Sequence, residues 1–83
     1  VTEIVLITSS ACHLCHDARA ALDELSREFP IELRVVDIAS AEGRRIVERF
    51  RPPMPPAVLV NGALFSFGRL PRKKLRRKLQ EAA

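Results

Sequence analysis

Tryptophan and tyrosine are absent from this 83-residue chain, and phenylalanine occurs only four times. Base stacking, the sequence-tolerant part of single-strand nucleic-acid binding, would have to rest on phenylalanine, arginine or histidine. No apolar run approaches the roughly 20 residues that span a bilayer. The longest run, near the N-terminus, has the length of a strand, and no signal peptide is visible. Cysteine occurs twice, too few for the disulfide scaffold of a small secreted domain. Two closely spaced cysteines suit a redox or metal role in a compartment that keeps thiols reduced, so the expected location is cytoplasmic. No repeat, low-complexity segment or linker divides the chain, and residues 1–83 read as one small domain with a modest core.

Acidic residues are scarce at one end. Residues 69–83 carry Arg69, Arg72, Lys73, Lys74, Arg76, Arg77 and Lys78 against Glu81 alone, a net charge of +6, while the rest of the chain nets −2. The basic character thus belongs to the last segment. No aromatic residue interleaves with these cations and no nucleic-acid motif is present. An acidic protein partner is the expected occupant, if the segment has one; neither nucleic acid nor membrane is indicated.

The apolar residues that are present fall into short elements. Residues 3–8 read as a strand that is apolar on both faces, and therefore central in its sheet. Leu14, Ala18, Leu22, Leu25 and Phe29 recur at three- and four-residue steps, which predicts a helix over 13–28, closed by Pro30. A second strand spans 31–38, with Ile31, Leu33 and Val35 inward at first. Ser40 caps a second helix over 41–50 whose buried face is Ile46, Val47 and Phe50, weakened by Gly43. Four prolines within 52–56 force an extended loop. Strands over 57–60 and 63–67 are joined by Asn61-Gly62, a strong hairpin signal. Pro71 sits at the first position of a last helix whose apolar seam is Leu70, Leu75 and Leu79. The order is β-α-β-α-β-β-α, an α/β fold with a four-stranded mixed sheet: a parallel pair from the right-handed crossover, then antiparallel strands from the hairpin.

Both cysteines and both histidines lie in Cys12-His13-Leu14-Cys15-His16, where the first strand turns into the first helix. Free backbone N–H groups and the positive end of the helix dipole favour an anion there, so a Cys12 thiolate is stabilised. Cys15 is one turn further in, and Cys-x-x-Cys at such a junction reads as a dithiol/disulfide pair. No metal site is expected. Two rival readings use the same residues. Cys12-x-x-Cys15-His16 matches a c-type haem attachment pattern, with His16 and Met54 as axial ligands, but small haem proteins of that kind are all-helical. Cys12 and Cys15, with the histidines, could instead contribute to a metal or iron–sulfur module.

The element order, Cys12-x-x-Cys15 after the first strand, and a proline just before the third strand together resemble the thioredoxin superfamily. Ala11-Cys12-His13-Leu14-Cys15 in so short a chain looks more narrowly like small bacterial glutaredoxin-like proteins. The resemblance implies a thioredoxin-like fold and a thiol-disulfide oxidoreductase, with Cys12 as nucleophile and Cys15 as resolving thiol. It also implies a cis Pro55–Pro56 bond facing the disulfide, so that Pro55 and Pro56 meet the substrate, Pro55 offering only its carbonyl. His13, directly after the nucleophile, would stabilise the thiolate when protonated. Met54 and Phe65 are expected at the rim or in the core. The resemblance implies no cofactor beyond the Cys12–Cys15 disulfide, and names a disulfide-bearing protein or low-molecular-weight disulfide as substrate. Glutathione, as co-substrate, or a reductase would supply electrons to what is expected to be a monomer. His-Leu stands between the cysteines where typical glutaredoxins have Pro-Tyr. Phe67-Gly68-Arg69-Leu70 likewise lacks the Gly-Gly and acidic residues with which they hold glutathione.

Overall fold

Apolar residues on alternate positions of one central strand divide the interior in two. In a computed structural model, which describes residues 1–82, that strand is β1 (Thr2–Thr8). It is followed by α1 (His13–Glu28), β2 (Ile31–Asp37), α2 (Ala41–Phe50), β3 (Ala57–Val60), β4 (Ala63–Phe67) and α3 (Arg72–Ala82). The sheet order is β2-β1-β3-β4. β1 runs parallel to β2 and antiparallel to β3, and β3 pairs antiparallel with β4. Ile4 and Leu6 of β1 face α1 and α3 and pack with Ala18, Leu22, Leu25, Leu75 and Leu79. Ile7 faces the other way, with Val36 and Ala57, and meets Ile46 of α2.

The local signals act as expected at most junctions. Ser40 caps α2, its hydroxyl oxygen accepting the Gly43 N–H at 3.0 Å. Asn61 and Gly62 both adopt positive φ, 49° and 83°, as the tight hairpin requires. Asn61 also ties the turn to β1: its side-chain oxygen accepts the Glu3 N–H at 2.9 Å, and its own N–H reaches the Glu3 carbonyl at 2.8 Å.

Five sequence expectations are corrected. Val35 is not inward but 42% exposed, because β2 is the outer strand and the helix layer covers the sheet's middle; Val36, on the opposite face, is buried instead. The face of α2 is only half-buried at Ile46, Val47 and Phe50, and its one buried residue is Gly43. Glycine there permits contact rather than merely weakening the helix, since a Cβ would collide with the Asp37 carbonyl oxygen and lie 2.9 Å from Ile38 Cα. Pro71 stands one position earlier than expected, outside α3, with its carbonyl accepting the Leu75 N–H at 3.0 Å. β2 ends at Asp37, although the Ile38 N–H still bonds to the Thr8 carbonyl at 2.8 Å.

Candidate active site

The loop between β1 and α1 delivers Cys12 to the sheet end at which the parallel strands β1 and β2 finish. Cys12 has extended backbone (φ −121°, ψ 105°) and occupies the N-cap of α1. That position usually belongs to serine, threonine or aspartate, whose oxygen accepts a free N–H of the first turn. Here sulfur takes the role: Cys12 Sγ accepts the Cys15 N–H at 3.1 Å. Ala11, just before it, is held at φ 54°, a left-handed conformation that alanine rarely adopts. No composition signal marks Ala11, since glycine or asparagine is the usual occupant of such a position.

Cys12 and Cys15 are joined as a disulfide with their Cα atoms 5.2 Å apart. The pair is asymmetric. Cys12 is half-buried at the surface end, whereas Cys15 is 4% exposed beneath the first turn. His13 is exposed at the first helical position, and His16 is exposed one turn along.

The register of the sheet brings the proline loop to the same end. Ile7 pairs with Ala57, so Pro56 stands beside Thr8 at the mouth of the Cys12 loop. The Pro55–Pro56 peptide bond is cis. Pro56 is buried and Pro55 half-buried, and the Pro56 carbonyl accepts the Gly68 N–H at 2.8 Å. Gly68 takes a left-handed turn, φ 72°, that side-chain-bearing residues rarely adopt, while a Cβ there would only touch the Met54 sulfur at an ordinary 3.5 Å. The motif-based reading did not assign Gly68 this role; its glycine identity just past β4 was the available signal. Met54 and Phe67 are 45% and 47% exposed, an apolar rim at this end. Phe65 is half-buried against the α1 and α3 core.

A cavity of about 620 Å³ lies between α2 and the sheet and is lined by residues such as Val5, Leu59 and Phe50, with none of the site residues among them. The haem reading conflicts with this architecture, because a strand rather than a helix precedes Cys12 and three more strands follow. Among the described residues no three His, Cys, Asp or Glu side chains come together as a metal-ligand set.

A family model described as Glutaredoxin-like domain (DUF836) matches residues 3–80. No functionally curated protein matches the sequence. Solved structures share the fold at low identity. Mitochondrial thioredoxin 3 from Saccharomyces cerevisiae, in its oxidized form, superposes with a TM-score of 0.72 at 15% identity, covering 96% of this chain and 77% of its own. An uncharacterized thioredoxin-like protein from Clostridium perfringens gives 0.78 at 10% identity, over 98% of this chain and 70% of its own. Thioredoxin O2 from Arabidopsis thaliana, in the oxidized state, gives 0.73 at 15%, over 98% and 74%. The fold is thioredoxin-like, and with 78 of its 83 positions spanned by the family model, residues 3–80, the chain belongs to the glutaredoxin-like domain family.

Proposed function

We propose that this protein is a thiol-disulfide oxidoreductase that reduces protein or low-molecular-weight disulfides through Cys12 and Cys15. The observation that carries the reading is the asymmetry of the pair: a half-exposed sulfur at a helix N-cap, accepting the N–H of a buried partner cysteine. In the reduced protein the Cys12 thiolate attacks one sulfur of a substrate R–S–S–R′. A new S–S bond joins Cys12 to the R-bearing sulfur, the substrate's own S–S bond breaks, and R′–S⁻ leaves and takes a proton. Cys15 then gives up its proton and attacks Cys12 Sγ. The Cys12–Cys15 bond forms, R–S⁻ leaves, and two electrons have passed from the dithiol to the substrate. A thiol such as glutathione, or a reductase, returns the pair to the dithiol.

Pro55 and Pro56 face the substrate in this reading. Pro56 supports it by standing at the mouth of the Cys12 loop, and neither residue has an N–H to compete for sulfur. His13, exposed beside the nucleophile, modulates the thiolate when protonated. The protein works as a monomer in the cytoplasm, where thiols are kept reduced.

The test is equilibration of the purified protein in a series of glutathione or dithiothreitol redox buffers, followed by alkylation and mass measurement. The expected result is a reversible Cys12–Cys15 disulfide with a potential between about −270 and −120 mV, the span of thioredoxin-fold dithiols. An accumulated glutathione adduct on Cys12 would identify glutathione as electron donor. A pair that never closes, or a mass that includes haem or metal, would overturn the proposal.

A further inference from the structure

Among the described residues, five cations on one segment have no carboxylate to answer them. α3 is fastened along α1 by two arginines: Arg72 meets Asp17 at 2.9 Å, and Arg76 forms a two-pronged bond to Glu28 at 2.7 and 2.8 Å. These pairs align the two helices in the same direction, so the start of α3 lies at the disulfide end of the sheet. Among the described residues, Arg69, Lys73, Lys74, Arg77 and Lys78 have no carboxylate partner within 4.0 Å. Lys74 turns toward β4, over the Phe65 ring at 5.6 Å. Lys73 and Arg77, four positions apart, share an outward face.

This band begins beside the active site. Arg69 follows Gly68, whose N–H is bonded to the Pro56 carbonyl at 2.8 Å. Further along, a shallow open surface is lined by Pro71, Arg72, Lys73, Lys74 and Arg77, with no acidic residue in the lining. Like charges held this close repel one another and are relieved by a complementary ligand. The spacing suggests its form. Lys73 and Arg77 are separated by about 6 Å of helix rise. Alternate side chains of an extended peptide are about 6.6 Å apart on one face.

Resting on the oxidoreductase reading, we infer that the substrate is a protein or peptide disulfide flanked by an acidic extended segment, which lies along Arg69, Lys73 and Arg77 while its disulfide meets Cys12. The charge complementarity is with carboxylates on a polypeptide, since a substrate that must present a disulfide to Cys12 carries its own docking charges.

Three disulfide peptides that differ only in a flanking tail, acidic, neutral or basic, test this with the pre-reduced full chain. At low salt the acidic peptide should be reduced on the order of tenfold faster than the neutral one, and the basic peptide slowest. The differences should collapse near 0.5 M salt, where screening acts over only about 4 Å. Lys73→Glu with Arg77→Glu should reverse the order; Lys73→Gln with Arg77→Gln should level it, should the reversal disturb folding. Equal rates on all three peptides would overturn the inference and leave the dithiol chemistry standing. Failure to reduce any of them, with two free thiols counted beforehand, would overturn the oxidoreductase reading and the inference with it. Tighter capture of a single-stranded oligonucleotide than of the acidic peptide would assign the band to nucleic acid and overturn the inference alone.

Discussion

The sulfur of Cys12 accepts the backbone N–H of Cys15 at 3.1 Å, so one cysteine caps the helix that buries the other. In the dithiol state the same N–H can serve a thiolate, and a hydrogen bond to an ionised acceptor is stronger than one to a neutral acceptor. The helix dipole acts in the same direction. Cys12 should therefore ionise below the ordinary cysteine value, and Cys15, desolvated beneath the first turn, above it. Iodoacetamide labelling of the reduced protein across pH, read by mass at each cysteine, should show Cys12 modified first and already reactive at neutral pH. Preferential labelling of Cys15 at neutral pH would reverse the assignment.

The same asymmetry predicts different outcomes for the two serine variants. Cys15→Ser removes the resolving thiol but leaves the attacking one, so the mixed disulfide with substrate should accumulate on Cys12 and survive non-reducing electrophoresis. Cys12→Ser should bring turnover to background with no adduct, because Cys15 is only 4% exposed. Both variants should stay folded when reduced, since the serine oxygen at position 12 is itself an able N-cap. A stable adduct on Cys15 in Cys12→Ser would contradict the roles assigned here.

Gly43 gives a stability prediction that helix propensity alone gets backwards. Alanine is favoured over glycine inside a helix by about 1 kcal/mol. Here the added Cβ would meet the backbone of Asp37 and Ile38, with Ile38 Cα 2.9 Å away. Backbone yields less readily than the end of a flexible side chain, so α2 must lift from the end of β2. Gly43→Ala should destabilise the protein by about 1–3 kcal/mol, the usual range for overpacking. Urea unfolding of the two proteins measures it, and a variant more stable than wild type would show that α2 moves freely.

What was legible in the sequence was local. The Ser40 cap, the placement of Cys12 at the start of α1, the Asn61-Gly62 turn and the apolar stripe of α1 each depend on residues within one or two turns of each other. What was not legible depends on neighbours distant in sequence. Val35 continues the alternation of Ile31 and Leu33, but whether it is covered depends on how far α1 reaches over the outer strand. Gly43 reads as a helix weakness until the chain returns it to Asp37. The unpaired state of Lys73 and Arg77, beside the paired Arg72 and Arg76, was equally invisible, because it depends on the angle at which α3 meets α1.

The Arg76–Glu28 pair offers a pH test of how α3 is held. Hydrogen bonding to the guanidinium, more than its charge alone, holds the Glu28 carboxyl below its ordinary range. Because the folded-state value is depressed, the contribution of the pair is fully present above the unfolded carboxylate range and disappears as pH falls through the folded value. Both groups lie at the surface, so the effect is small and salt-sensitive. Arg76 also stacks over the Phe29 ring at 5.9 Å, and that contact does not titrate in the acid range. Glu28→Gln should therefore be slightly less stable than wild type at neutral pH and low salt, with the gap closing on acidification below the carboxylate range. Arg76→Gln should keep a residual deficit at acid pH, because it loses the ring contact as well. Paired urea unfolding curves at both pH values decide it; a Glu28→Gln deficit that persisted in acid would mean that the carboxylate's charge is not what fastens α3 to α1.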